Sequence, residues 1–313
     1  MRAPLQIRVP SLGRKSITRD EYACRSVNNT VRTASWIVWI AATTIVFLRP
    51  IVWLLVYASN NELLSYIPLV PCVTCALLFA LRHSLPRERH TSIAGALIVG
   101  AVGIAAAAAA MAYRGRLSVN DDLALFASAY VCFVVAGGFL FLGSTWMTAA
   151  LFPMAFLLFV IPLPDAIVAS FEEMSVVASA HAAAWFFTAT GTPLIQDGTR
   201  LALPGIALVV AQECSGIHSS WILFITSLLA AWLFIDGGWR RAILVAFVFP
   251  LAIVRNAFRI LVIGLLCVHV GPQMIDSPIH HQGGPLFFAL SLIPLFAAMW
   301  WLRREPGPAT SER

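Results

Sequence analysis

Charge is what this sequence has least of. Only 12 % of its 313 residues are Asp, Glu, Lys or Arg, against 59 % hydrophobic residues and a mean hydropathy of +0.83. Most of the chain therefore cannot form a solvated surface. Segments of alternating hydrophobicity about ten residues long, the mark of a membrane barrel, are missing. So are a zinc-ligand spacing and a disulfide framework, since the six cysteines (24, 72, 75, 132, 214 and 267) are scattered. No internal repeat is present, and the apolar spans hold no acidic residue to couple protons or cations. What the chain has instead is a series of about eight apolar runs of roughly 17 to 25 residues, each long enough to cross a bilayer core of about 30 Å as a helix. The fold class expected is an all-α polytopic membrane protein. The net charge of +6 reads as orientation in a bilayer and not as affinity for nucleic acid.

Residues 1–33 carry seven Lys and Arg and form a basic cytoplasmic tail, too long and too poor in a cleavage pattern for a simple signal peptide. A single transmembrane domain is expected over 34–304, followed by a cytoplasmic tail over 305–313. Spans are predicted over about 34–57 (interrupted at Arg49-Pro50, with Arg49 snorkelling outward), 63–81, 91–112, the stretch from the polar turn at 113–122 to 142, and 145–161. The later spans fall at about 217–234, 242–270 and 285–302. Cys72-Val73-Thr74-Cys75, without a βαβ context, reads as small residues in helix packing. The Gly- and Ala-rich third span suits close helix contact. For 242–270, broken by Pro250, one kinked span and a span plus an interfacial turn both remain open.

Two segments depart from this pattern. Residues 165–190 mix Asp165, Glu172, Glu173 and His181 with alanines and aromatics, and read as an amphipathic interfacial helix, with a further span as the alternative. Gly191–Ala211 carries Pro193, Asp197-Gly198 and Pro204-Gly205 between short β-prone runs. It is expected to form a small extracytoplasmic β meander with a hairpin turn at Asp197-Gly198. Of the Lys and Arg residues, fifteen fall on segments assigned to the inside and three on segments assigned to the outside. Eight spans with both termini inside then place the meander, the start of the sixth span and the loop at 271–284 on one outer face.

The chemistry gathers around Glu213-Cys214-Ser215-Gly216-Ile217-His218, where the meander gives way to an apolar helix. A thiol at a helix start faces unpaired N–H groups and the positive end of the dipole, which favour the thiolate. Glu213 opposes this with a negative charge, so the local sign balance stays open. Gly216 removes bulk beside the sulfur, while Ser215, Ser219 and Ser220 offer caps or hydrogen bonds to a bound carbonyl. Taken alone, Cys214 also fits a small buried residue at a packed helix start. Farther on, Pro250–Ile260 holds Arg255 and Arg259 inside an apolar run, an expensive arrangement that marks a functional site by default. Either arginine or Asn256 could instead serve helix packing. His280 and His281 sit in the last outer loop. His218, one turn past Cys214, competes for the role of base, and His269 is expected to be packed. A cysteine, an arginine and a histidine on one face form a thiol acyl-transfer set. Cys214 would attack a carbonyl, His280 would move the proton, and Arg259 would stabilise the oxyanion. No cofactor or metal is called for.

Glu213-Cys214-Ser215-Gly216-Ile217, Asn256-x-x-Arg259-Ile260 and His280-x-x-x-Gly284, in that order between spans, resemble the exosortase/archaeosortase family of multi-pass cysteine transpeptidases. Similarity extends through Ile161-Pro162-Leu163-Pro164, Gly191-Thr192-Pro193, Gly198 and Leu203-Pro204-Gly205, and so covers about 145–300. The resemblance implies Cys214, Arg259 and His280 as catalytic residues, with Glu213, Ser215, Gly216, Asn256 and Gly284 contacting substrate. The implied partners are secreted proteins with a C-terminal Pro-Glu-Pro-type (PEP-CTERM-like) tail, the lipid bilayer, and a cell-surface glycan or lipid acceptor. The implied location is a bacterial inner membrane with the site on its periplasmic face. Two departures stand out: Gly284 is followed by Pro285 where many relatives carry an aromatic residue, and the His280-His281 pair leaves the register open by one. The H-x-x-x-G spacing selects His280, and the N-x-x-R spacing selects Arg259 over Arg255. The rival readings are a transporter or polysaccharide-export component, a non-catalytic scaffold and a metal-dependent hydrolase.

Overall fold

A computed structural model describes residues 19–86, 90–210, 217–276 and 284–304. Among the described residues the regular structure is helical apart from one small sheet, and the chain's contacts divide it into two units. The first comprises Met1–Leu55 and Ile67–Pro162, and the second Val56–Tyr66 and Leu163–Arg313.

In the first unit, α1 (Arg19–Val46) is followed by α2 (Leu48–Ser59), the two bent by 74°. The bend falls at Phe47, ahead of the Arg49-Pro50 interruption expected from sequence. Pro50 lies in the first turn of α2, where its missing N–H removes no hydrogen bond. Arg49 is exposed, as a snorkelling side chain would be. Helices α3 (Leu69–Leu81), α4 (Ile93–Ala112) and α5 (Val119–Phe141) match three expected spans. Small residues bring α4 and α5 together: a Cβ on Gly103 would stand 3.0 Å from that of Cys132, and one on Gly95 2.8 Å from the Phe139 ring. Trp36 and Trp39 of α1 donate their indole N–H groups to the carbonyls of Val134 and Phe133 at 3.2 and 2.8 Å. These bonds pin α1 to α5 and leave no indole N–H stranded in hydrocarbon. Cys72 and Cys75 are exposed free thiols on α3 and do not pack between helices as their small size suggested.

The expected fifth span is not one helix. After Gly143 (φ +89°), where a Cβ would collide with the carbonyl of His90, the chain forms α6 (Ser144–Ala149), α7 (Leu151–Phe156) and a 3-10 turn over Leu157–Val160. Pro153 stands within α7, and Pro162 and Pro164 prevent the turn from continuing as α-helix.

In the second unit, the helix expected over 165–190 is present as α8 (Asp165–Ala189). Its buried stripe, Val176, Ser179, Ala180, Ala183 and Phe187, follows the three- and four-residue spacing of a helix face packed on a neighbour. The meander also forms, as β1 (Ile195–Asp197), β2 (Arg200–Leu203) and β3 (Ile206–Val209), antiparallel in the order β1-β2-β3. Asp197 pairs with Arg200, so the first turn is Gly198-Thr199, one residue later than the Asp-Gly signal placed it. Gly198 takes φ +57° at the first central position, which a two-residue hairpin commonly fills with glycine. The second turn is Pro204-Gly205 with Gly205 at φ +80°, the Pro-then-Gly order of a type II turn.

Helix α9 (Ile217–Phe234) turns at Gly237 (φ +91°) into α10 (Gly238–His269), which runs unbroken through Pro250. Of the two alternatives for 242–270, the single long helix is the one observed. The Arg241 guanidinium donates to the Ile235 carbonyl at 2.8 Å and ties the two helices across this turn. After a 3-10 turn over Pro272–Asp276, α11 (Gly284–Arg304) closes the unit. Leu223 and Ala231 of α9, Leu244, Val248 and Leu251 of α10, and Leu295 and Leu302 of α11 form one core. A second core joins Val176, Ala180, Ala183 and Phe187 of α8 to Ala257, Ile260 and Leu261 of α10 and to Leu201, Leu203 and Leu208 of the sheet. Six helices among the described residues are long and apolar enough to cross a membrane. The number rises to eight if two broken pairs, Asn29–Val46 with Leu48–Ser59 and Leu151–Val160 with Asp165–Ala189, each count as one span.

Gly264 is where α10 meets α8 and the sheet most closely. A Cβ there would run into the Phe187 ring and lie 3.0 Å from Leu203 Cδ1, and Phe187 is fully buried. Replacing Gly264 by Val should cost about 1–3 kcal/mol through overpacking, read as a lower melting temperature of the detergent-solubilised protein. Gly264→Ala should lie between Val and native.

Candidate active site

The middle of α10 explains how one helix serves three neighbours. At about 100° per residue, Arg255, Arg259 and Asn256 fall within an arc of about 100° on one side, while Ala257, Ile260, Leu261 and Gly264 fall within a similar arc on the other. The apolar arc faces α8 and the meander. Phe258, between the two arcs, meets Phe287 of α11 edge to face at 6.2 Å. The polar arc faces the start of α9, because the Arg255 Nη2 donates to Ser220 Oγ at 3.0 Å. Arg255 is only 8 % exposed, so this hydroxyl lies in α9's opening turns against a buried guanidinium.

Helices α9 and α10 run antiparallel across a three-residue turn. Moving from Arg255 to Arg259 along α10 is therefore a step of one turn, about 6 Å, toward the first residues of α9. Arg259 is half-buried, and this step brings it level with the first residues of α9. The two guanidinium groups act on each other as like charges. Asn256 is 3 % exposed, and its Nδ2 has no hydrogen-bond partner among the described residues. A buried amide donor without a partner costs about 1–3 kcal/mol, a sign that this position answers to something other than packing.

Three further segments reach the same end of the unit. Strand β3 runs to Val209, eight residues before α9 begins at Ile217. The α10–α11 connection starts with the 3-10 turn that packs on α10. The third, missed by sequence reasoning, is the 3-10 turn Glu62–Leu64, which packs on α9. Its Glu62 is the carboxylate that acts on His218, whose Nδ1 is buried and has no hydrogen-bond partner among the described residues. More than 150 residues separate Glu62 from His218, and no local pattern in the sequence connects them.

Glu213, Cys214, Ser215, Gly216, His280 and His281 lie outside the described residues. Of the remaining expected site residues, Arg259 and Asn256 share one face of α10. Gly284 opens α11, and a Cβ there would meet no described residue within 4 Å. His269, expected to be packed, is exposed at the end of α10. Among the described residues no group of three His, Cys, Asp or Glu side chains is arranged to hold a metal ion.

The transmembrane exosortase model matches residues 53–297. The chain belongs to that family. The match extends well upstream of the 145–300 region that carries the recognisable motifs, so the exosortase domain takes in α3, α4 and α5 as well as the arginine-bearing helix. Comparison with curated proteins and with solved structures finds no match. The family makes this chain a membrane-embedded sorting enzyme by kind, with a multi-pass helical body.

The buried Asn256 amide can be tested by stability alone. Asn256→Leu, close in volume and apolar, should leave the melting temperature unchanged or raise it. Asn256→Asp should lower it, because an ionisable carboxyl replaces a neutral group at a buried position.

Proposed function

We propose that this exosortase is a cysteine endopeptidase and transpeptidase. It would cleave C-terminal Pro-Glu-Pro-type sorting tails of secreted proteins at the periplasmic face of a bacterial inner membrane and pass the trimmed protein to a cell-surface glycan or lipid acceptor. The observation that carries the reading is the polar arc of α10, which turns Arg255, Asn256 and Arg259 toward the start of α9, three residues after Cys214 in the chain. In this reading 34–304 is the working domain and the basic ends at 1–33 and 305–313 stay in the cytoplasm. From Arg241 to Arg259 is about 27 Å of helix, close to the thickness of the bilayer core. With Arg241 at the inner boundary, Arg259 comes to the outer one.

The Cys214 thiolate attacks the scissile carbonyl carbon, forming the S–C bond. Arg259, aided by the Asn256 amide, holds the charge that develops on the oxygen. The tetrahedral species collapses as the C–N bond breaks, and His280, carrying the proton taken from the thiol, protonates the leaving amine. The acceptor's nucleophile, or water, then attacks the thioester, gives its proton to His280 and releases the thiolate. Glu213, Ser215, Gly216 and Gly284 are assigned to contacts with the bound peptide. The tail's own transmembrane helix stays in the bilayer beside the enzyme.

A co-expressed secreted reporter with such a tail, analysed by intact mass, tests this. Native enzyme should shorten it and Cys214→Ala should leave it whole at equal enzyme level. Arg259→Ala and His280→Ala should each slow processing by about a hundredfold or more. Alkylation should abolish processing and a chelator should not. An adduct on the new C-terminus identifies transfer, and a bare carboxylate identifies hydrolysis. A reporter left whole by the native enzyme, together with unprocessed tail-bearing proteins in the native host, would return the chain to the export reading.

A further inference from the structure

Arg255 is the arginine that the proposed chemistry does not use, yet it is the more deeply placed of the two. Its guanidinium is 8 % exposed, sits inside a candidate membrane span, and donates to Ser220 Oγ at 3.0 Å. A second guanidinium, that of Arg259, lies one turn away and repels it. Packing α9 on α10 does not call for this pair. Leucine at 255 would continue the apolar core that Leu251 and Leu223 already form, without the cost of a buried charge.

We infer that Arg255 is a positioning residue: it fixes the opening turns of α9 through Ser220 and adds the second positive charge at the end of α9 that Cys214 precedes. The inference rests on the thiol mechanism proposed above and settles a point the local sequence leaves open, because Glu213 next to Cys214 opposes the thiolate. Cys214 is three residues from Ile217, a reach of at most about 11 Å, and Ser220 is three residues into the helix from there. At such separations a unit charge changes the thiolate population by roughly five- to tenfold. Among the described residues, the other charged or titratable groups bearing on this end are Arg259 on α10, His218 on α9 and Glu62 on the 3-10 turn; Glu213 and His280 join them in the proposed mechanism. Arg255 therefore acts twice, through a hydrogen bond that sets where α9 starts and through a field that reaches the thiol.

The rate at which iodoacetamide alkylates Cys214 in the full-length, membrane-embedded protein, followed on its own peptide by mass, separates this role from general stability. Arg255→Gln should slow the reaction about five- to tenfold. Arg255→Lys, which keeps the charge, should restore most of it, and Ser220→Ala should slow it less than Arg255→Gln does. Equal rates in the native protein and Arg255→Gln, or equal losses in Gln and Lys, overturn the inference. If Arg255→Gln does not accumulate, Ser220→Ala and Ser220→Thr decide. Loss with Ala and recovery with Thr supports the clamp, and a native rate in both overturns it. Alkylation needs no substrate. A native enzyme that cleaves no reporter but shows Arg255-dependent alkylation would defeat the proposed reaction and leave this inference standing.

Discussion

A guanidinium placed in an apolar helix must be satisfied where it lies, and the second unit is arranged around that requirement. Arg255 has no water to retreat to, so a hydroxyl from α9 is brought to it. Meeting that need fixes the register of α9 against α10, and with it the end of the unit toward which Arg259 and Asn256 also point. The short turn at Ile235–Gly237 and the Arg241 bond to the Ile235 carbonyl hold the other end of the pair. Between these two anchors the contact is apolar and self-complementary.

The same helix must also carry the meander, and it does so with its opposite face. Gly264 lets Phe187 and Leu203 approach the backbone, so α8 and the sheet settle on the C-terminal third of α10. Helix α10 has 32 residues, about 48 Å at 1.5 Å per residue, and exceeds a bilayer core of about 30 Å. The length beyond the arginines gives the meander a foundation.

The first unit follows a different economy. Among the described residues it has no buried arginine, and small residues and tryptophan-to-carbonyl bonds hold it together. Its expected fifth span comes apart at Ala150, three residues before Pro153, whose missing N–H takes one bond from the helix, and Pro162 and Pro164 bar the 3-10 turn from continuing. Hydropathy alone does not register such breaks, because proline removes a donor without making the segment polar.

Much of this was legible in the sequence. Apolar length and the absence of charge determined the helical membrane class, because backbone groups in hydrocarbon leave no alternative. Pro and Gly punctuation marked the meander and placed its first turn to within a residue, because turns demand particular φ values. The spacing of Asn256, Arg255 and Arg259 determined that they share a face, because helix geometry is local. What only the tertiary structure decided is which helix that face meets: Ser220 as a partner of Arg255, Phe187 over Gly264, and Glu62 within electrostatic reach of His218. Those pairings depend on side chains far apart in the chain competing for the same small volume, and nothing in the local pattern of either partner records the outcome.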